Sequence, residues 1–436
     1  MIDKLTDTYI RLKTSSLAGR FMRGAAWSVF GSMICSGTTL VMFMFVSRLL
    51  GKEVYGQFVI IQSTLSTVGV LAGFGVGAAA TRYVAELKLH NTARLGHILT
   101  LAERTILGFG LLACSGLVFS ANLMATHMLN TPSLSVPLAI SAGAVLFSAL
   151  DSYQKSVLIG FESMRAYAIG TVIGVIVGFP VMLLAAKNFG LQGASVALVI
   201  NALLQAFISR FQMFRELRKY NVKCETKGCL SEFPVLLHFA LPALLSSVLV
   251  GPSHWAAQTM LARTSNGYSE LAVLGVAMQW FNVIMFVPGT AARVVMPMLT
   301  EHVTNDDHSN TRKILLYAMG ANAIIALPLA VIIAISSRYI MSLYGKSFED
   351  DSISLILAVM TGALLAILTP VGSLLAASSR MWLGAVMNSG WAFVFVGSAY
   401  YLIDKGAAGI LLALAFGYLA HTFWVSYFAM RVLWKK

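Results

Sequence analysis

Apolar runs of 18 or more residues recur along the whole of this chain, and no other feature restricts its fold as much. Each run is long enough to cross a hydrocarbon layer of roughly 30 Å at about 1.5 Å per residue. A backbone in lipid has no water to bond with, so the runs are read as helices. Twelve spans result: 24–46, 57–79, 105–125, 134–154, 166–186, 191–209, 235–260, 271–298, 314–335, 353–376, 382–402 and 408–430. Of the 436 residues, 58% are hydrophobic and 11% charged, against about 25% charged in soluble domains, so a soluble core is excluded. The expected class is an all-α polytopic membrane protein. The loops leave no room for a separate soluble domain. The first run is too long for a signal-peptide core and follows a charged segment, so no removable signal is expected.

Charge orients the spans. With the N-terminus in the cytoplasm, 24 of the 31 Lys and Arg residues fall on inner segments and 7 on outer ones. That asymmetry is a positive-inside signal, and it places both termini in the cytoplasm. It also accounts for the net charge of +13 without a nucleic-acid partner.

The basic inner segment 210–233 divides the spans six and six. The expected organisation is a basic arm (1–23), a first lobe (24–209), this linker (210–233), a second lobe (234–430) and a short tail (431–436). The lobes match at an offset near 215 residues. Arg48 falls on Arg263, Glu86 on Glu301, and ESMRAYAIG (162–170) on ASSRMWLGA (377–385). One residue out of step, NFGLQGASVAL (188–198) meets DKGAAGILLAL (404–414). Six spans per lobe make the repeat parallel, so two similar bundles face one another, as in transporters that rock around a central site.

Cys35 and Cys114 fall in spans as small apolar packers. Cys224 and Cys229 lie in the linker; they are not spaced as CxxC and have no second pair, so they are read as free thiols. No metal centre and no cofactor is expected. The absence of a nucleophile elbow, an HExxH or a phosphate loop, and of any loop large enough for a catalytic lobe, argues against an enzyme.

The segment 21–86, from FMRGAAWSVF through SRLLGKEVYGQF to FGVGAAATRYVAE, resembles the opening of the Wzx-type polysaccharide flippases. These belong to the multidrug/oligosaccharidyl-lipid/polysaccharide exporter superfamily. The resemblance implies a flippase in the bacterial inner membrane. It would move undecaprenyl-pyrophosphate-linked oligosaccharide, an O-antigen or other surface-polysaccharide repeat unit, to the outer leaflet, alongside other polysaccharide-assembly proteins.

Such a cargo needs cations for its pyrophosphate, ideally arginine, and polar side chains for its sugars. Ionisable groups inside spans are therefore the candidates. Arg293, in VPGTAARVVMPML, is the leading pyrophosphate contact, with Pro288, Gly289 and Pro297 expected to loosen its helix; snorkelling to the interface is its alternative. Arg48 and Arg263 are candidates for a cationic outer rim, or else interfacial anchors. Arg82 ends the second span and reads first as an anchor. Lys52 reads as a solvated loop residue. Gln62, Gln258, Gln279, Asn201 and Asn282 suit sugar hydroxyls or neighbouring helices equally. His254, in GPSHW, marks a possible break of the seventh helix and a gating position; His238 and His421 read as helix-to-helix hydrogen-bonding residues. Asp151 is the acid inside a span. It is a candidate for H⁺ or Na⁺ coupling, although Lys155 one turn on gives it a structural reason. Glu349, Asp350 and Asp351 read as a solvated run. The rival function is a cation-coupled drug or metabolite antiporter of the same superfamily, disfavoured by the lack of an acid in the first span.

Overall fold

The computed structural model describes residues 26–27, 29–73, 75–225, 228–234, 249–305, 307–378 and 381–433; the side chains of a few helical residues, Arg293 among them, lie outside it. The described residues are helical and contain no strand. The helices are α1 (Val29–Leu50), α2 (Lys52–Gly73), α3 (Val76–Leu87), α4 (Thr92–Leu123), α5 (Ser135–Ser141), α6 (Gly143–Gly160) and α7 (Met164–Lys219). They continue as α8 (Val250–Ala262), α9 (Gly267–Thr304), α10 (His308–Ile335), α11 (Ser337–Ser342), α12 (Ser352–Ala377), α13 (Met381–Leu402) and α14 (Gly406–Leu433).

Nine helical stretches among the described residues are long and apolar enough to cross a membrane. The sequence predicts twelve. Two of the nine, Met164–Lys219 and Trp382–Arg431, run for 56 and 50 residues and cover two predicted spans each. A 56-residue helix would be about 84 Å long, far beyond one bilayer. Each of these stretches is interrupted by a glycine with positive φ, Gly190 (+57°) and Gly406 (+62°). The seventh predicted span falls partly outside the described residues, and α8 is its described portion. Large apolar side chains such as Phe119, Ile335 and Phe393 are more than 80% exposed, as a lipid-facing surface requires.

Burial is organised unevenly along the long axis. At the end carrying Gly51, Leu129–Leu134 and Tyr344–Phe348, one hydrophobic cluster draws on both halves of the chain. It joins Val46, Tyr55 and Phe58 to Leu261, Leu274 and Phe348. Toward the other end the cores are separate. One is built from first-half residues such as Leu95, Ile98, Val157 and Phe161, with Cys229 of the linker. The other is built from second-half residues such as Leu299, Leu315, Leu374 and Phe428. The halves are thus fused at one end and packed individually at the other.

The fused end is tight because small residues let backbones approach. A Cβ on Gly56 of α2 would lie 1.7 Å from the Tyr268 carbonyl of α9, and one on Gly275 would lie 2.5 Å from Val59. Cross-half hydrogen bonds reinforce it. Ser47 donates to the Tyr344 carbonyl at 2.9 Å, Tyr268 to the Leu129 carbonyl at 2.9 Å, and Trp255 Nε1 to Thr64 Oγ1 at 2.9 Å.

Two expectations are corrected. Helix α9 runs continuously through positions 288–297, without the break expected there. Lys52 is no free loop residue: its ammonium pairs with Asp351 at 2.6 Å, donates to the Ser347 carbonyl at 3.0 Å and lies over the Phe348 ring. The acidic run is likewise engaged, with Arg338 pairing with Glu349 at 2.9 Å.

Candidate functional site

A cavity of about 900 Å³ lies inside the first half, between α1, α2, α3, α6 and α7. Its wall combines glycine, alanine and serine with larger apolar side chains such as Met42, Leu65, Met182 and Leu198, and carries three amides and one carboxylate: Gln62, Asn201, Gln205 and Asp151. The volume is within the range of small-molecule sites.

Local sequence explains the polar face. Asn201, Gln205 and Ser209 recur every four residues on α7, so they stand on one side of the helix. Gly170, Gly174 and Gly178, at the same spacing on the preceding stretch, leave room for the opposing amides. A Cβ at Gly174 would touch the Gln205 amide at 2.3 Å, and one at Gly178 the Asn201 amide at 2.6 Å. Gln205 Nε2 donates to the Thr171 carbonyl at 3.2 Å and Asn201 Nδ2 to the Gly178 carbonyl at 3.4 Å. Asn201 Oδ1 is buried without a hydrogen-bond partner among the described residues.

Asp151 and Lys155 form the i,i+4 ion pair expected, at 2.7 Å, with both side chains less than one-fifth exposed. Ser209 Oγ donates to the second carboxylate oxygen at 2.6 Å, and Lys155 Nζ also reaches Gln205 Oε1 at 3.3 Å. The pair is therefore tied into the amide stripe. Gln205 and Ser209 escaped the sequence reading, though the period-four recurrence from Asn201 would have revealed them.

The remaining candidates are dispersed. Arg48 and Arg263 are exposed at the fused end, where Arg48 reaches the Ser342 carbonyl at 3.5 Å. Arg82 is exposed near the other end, 3.8 Å from Glu86. None of these three lines the cavity. The Arg293 side chain and all of His238 lie outside the described residues. Gln279 is held between two tyrosines: its Nε2 donates to Tyr55 Oη at 2.7 Å, and Tyr344 Oη donates to its Oε1 at 3.1 Å. That joins the halves instead of facing the cavity. His254 packs on Trp391 and Phe395, ring centroids 5.7 and 5.1 Å away. Pro252 sits in the first turn of α8, where proline is tolerated, so no break falls within the described part of that helix. Asn282 is exposed, and Gln258 Oε1 is buried without a partner among the described residues. The four cysteines are free.

Two helical halves fused at one end, with membrane-length apolar helices and a cavity between the helices of the first half, define a multi-pass membrane protein. Comparison with solved structures agrees. The chain superposes on an inward-facing multidrug resistance MATE family transporter of the MOP superfamily with a TM-score of 0.74, at 14% identity, covering 94% of this chain and 98% of that one. It superposes on the lipid II flippase MurJ in an inward closed conformation with a TM-score of 0.73, at 14% identity, covering 93% and 88%. The sequence places it more finely: its residues 21–303 match the polysaccharide biosynthesis protein family, and the chain belongs to that family. The resemblance to Wzx-type members of the superfamily holds. The chain is also 22% identical over 419 residues to the EPS I polysaccharide export inner membrane protein EpsE of Ralstonia nicotianae, covering 91% of each. It is 20% identical over 434 residues to stage V sporulation protein B of Bacillus subtilis, covering 93% of this chain and 83% of that one.

Proposed function

We propose that this protein is a flippase of the bacterial inner membrane that carries an undecaprenyl-pyrophosphate-linked oligosaccharide from the cytoplasmic to the outer leaflet by alternating access. The single observation that carries the reading is the division of the core: one cluster shared by both halves at one end, two private clusters at the other. An arrangement of that kind closes one side of a central passage and leaves the other free to part. Twelve spans in two parallel lobes fit it, and so does the matching conformation of Gly190 and Gly406 at equivalent points of the repeat. The basic segments cluster toward the divided end, which makes that end cytoplasmic under the positive-inside rule. The structure then corresponds to the cytoplasm-open state.

The cargo's sugars suit the amide and small-residue wall of the first-half cavity. Its pyrophosphate is assigned to Arg293 on α9, with the isoprenoid tail left in lipid. Arg48 and Arg263 sit at the opposite mouth, where an emerging anionic head would meet them. The test uses cells lacking their own flippase for the same repeat unit. Expression should restore surface glycan, and Arg293→Ala should reduce export more than Arg380→Ala at equal membrane levels. Equal effects of the two substitutions would sink the assignment of Arg293; no restoration by the unaltered chain would sink the flippase.

One observation favours a second reading, a cation-coupled antiporter of the same superfamily: the cavity wall includes a carboxylate, Asp151. In either reading, coupling to H⁺ or Na⁺ is assigned to that residue. Export of small cations from loaded vesicles, without any glycan-lipid movement, would favour the antiporter.

A further inference from the structure

A second cavity, of about 480 Å³, lies at the divided end and away from the passage assigned above. It is framed by the turn before α7 and by the last part of the same helix, and carries Ser163, Arg165, Gln212, Arg215, Glu162 and Glu216. We propose that it binds the headgroup of a phospholipid that carries both a phosphate and a primary ammonium, that is, a phosphoethanolamine lipid.

The cationic side comes from Arg165 and Arg215. Neither forms an ion pair among the described residues; Arg165 lies over the Trp27 ring at 5.4 Å. Arginine forks match phosphate oxygens. Arg165 and Ala166 also belong to the first turn of α7, whose cap residue Ser163 makes no side-chain cap bond, so backbone N–H groups there remain to be satisfied. The anionic side comes from Glu216. Its Oε2 is buried without a hydrogen bond among the described residues and has a long ion pair with Lys219 Nζ, at 3.6 Å. A buried carboxylate oxygen left short of a donor calls for one. Glu162 is already taken by Lys88 at 2.9 Å. The cavity thus offers two arginines without a carboxylate partner among the described residues and one carboxylate oxygen held only by a long ion pair, which is the complement of a phosphate with a neighbouring ammonium.

The site is built rather than incidental. Lys88 also reaches the Gly160 carbonyl at 3.3 Å, and Phe161 stacks on Tyr220 with centroids 4.9 Å apart, so the turn is pinned from both sides. Glu162 holds a φ of +62°, a conformation uncommon for a non-glycine residue. A lipid is favoured over a free phosphate because a stripe of exposed apolar rings, Phe207, Phe211 and Phe214, runs along α7 beside the cavity, 70%, 61% and 43% exposed. Spaced by four and three residues, they share one face on which acyl chains can lie.

The experiment is native mass spectrometry of the purified full chain in detergent, with dioleoyl phosphatidylethanolamine, dioleoyl phosphatidylglycerol or inorganic phosphate added separately. Phosphatidylethanolamine should be retained at least tenfold more tightly than phosphatidylglycerol. Arg165→Ala with Arg215→Ala should abolish retention, and Arg165→Lys should restore part of it. Glu216→Gln should erase the preference between the two lipids while leaving phosphatidylglycerol binding in place. Equal retention of both lipids by the unaltered chain would overturn the proposal, as would undiminished phosphatidylethanolamine binding by the double arginine variant. Arginine-dependent binding of inorganic phosphate with no lipid retained would overturn the lipid assignment. Thermal unfolding without lipid, compared across the variants, separates lost binding from lost folding.

Discussion

Gly190 and Gly406 hold the same rare backbone conformation, with φ and ψ of +57° and −135° in one and +62° and −141° in the other. Three residues on in each case, Gly193 and Gly409 pack so closely that an added Cβ would lie 2.0 Å from a carbonyl, of Ala185 and Leu402 respectively. The sequence match between 188–198 and 404–414 therefore marks one corner built twice. It reverses the chain within a few residues and starts the next helix, and only glycine enters that region without strain.

Alanine at either corner should destabilise the protein. Gly190→Ala and Gly406→Ala are each expected to cost about 1–3 kcal/mol from backbone strain. Gly397→Ala, whose Cβ would meet nothing within 4 Å, should be neutral or slightly stabilising because it improves helix propensity. Thermal unfolding in detergent measures the difference. Parity among the three variants would contradict the strain argument.

The fused end must part if access alternates. Lys52→Cys with Asp351→Cys, in a background without the native cysteines, places two thiols across the junction now spanned by a 2.6 Å ion pair. A short thiol-reactive crosslinker should stop glycan export, and cleaving the linker should restore it. Continued export in the fully crosslinked protein would show that this junction does not open.

The Tyr55–Gln279–Tyr344 bridge should bias the same equilibrium. Tyr55→Phe leaves Gln279 Nε2 without its acceptor on the other half and should weaken the closed junction by about 1–3 kcal/mol, the cost of an unmet buried donor. Spin labels on either side of the junction should report a larger open population. An unchanged distance distribution would confine the bridge to local packing.

Asp151 and Lys155 give a separable prediction. Asp151→Asn strands a largely buried ammonium, so it should destabilise by about 3–5 kcal/mol. Asp151→Asn combined with Lys155→Met should recover most of that stability. If Asp151 couples transport to an ion, the recovered double variant should move cargo without dependence on the H⁺ or Na⁺ gradient. Retained gradient dependence would remove Asp151 from that role.

A pH effect is expected where α9 meets α10. Asp307 caps α10: its carboxylate accepts from the Asn310 backbone N–H at 3.1 Å and the Asn310 side chain at 2.7 Å, and contacts His302 Nδ1 at 3.0 Å. These bonds, the backbone one foremost, hold its pKa below the ordinary value of 3.8. A depressed carboxylate pKa means the cap is at full strength above that ordinary value and is lost as pH falls through the lower native one. Hydrogen exchange at 308–311 should therefore lose protection only in strongly acidic solution, and Asp307→Asn should remove that pH dependence.

Much of the fold was legible because lipid imposes so strong a rule: long apolar runs must be helices, and nearly every predicted span falls on one. The Asp151–Lys155 pair was legible as well, since four residues is one helical turn. Lys52 was not. Its partner lies 299 residues away, and nothing local distinguishes it from a solvated loop lysine. Gln279 looked like a cavity amide for the same reason; its tyrosine partners come from the other half and from a distant loop. The cavity could not be foreseen either, because spans apolar nearly all round give no face to orient.

By itself the sequence determined that this chain lives in a membrane as helices, because backbone hydrogen bonds in hydrocarbon can be met only within a segment. Tertiary structure alone decided which end of the two halves is fused, which side chains face the cavity, and which arginines stand away from it. Those depend on how helices rotate and approach one another, and packing between distant segments leaves no mark on local composition.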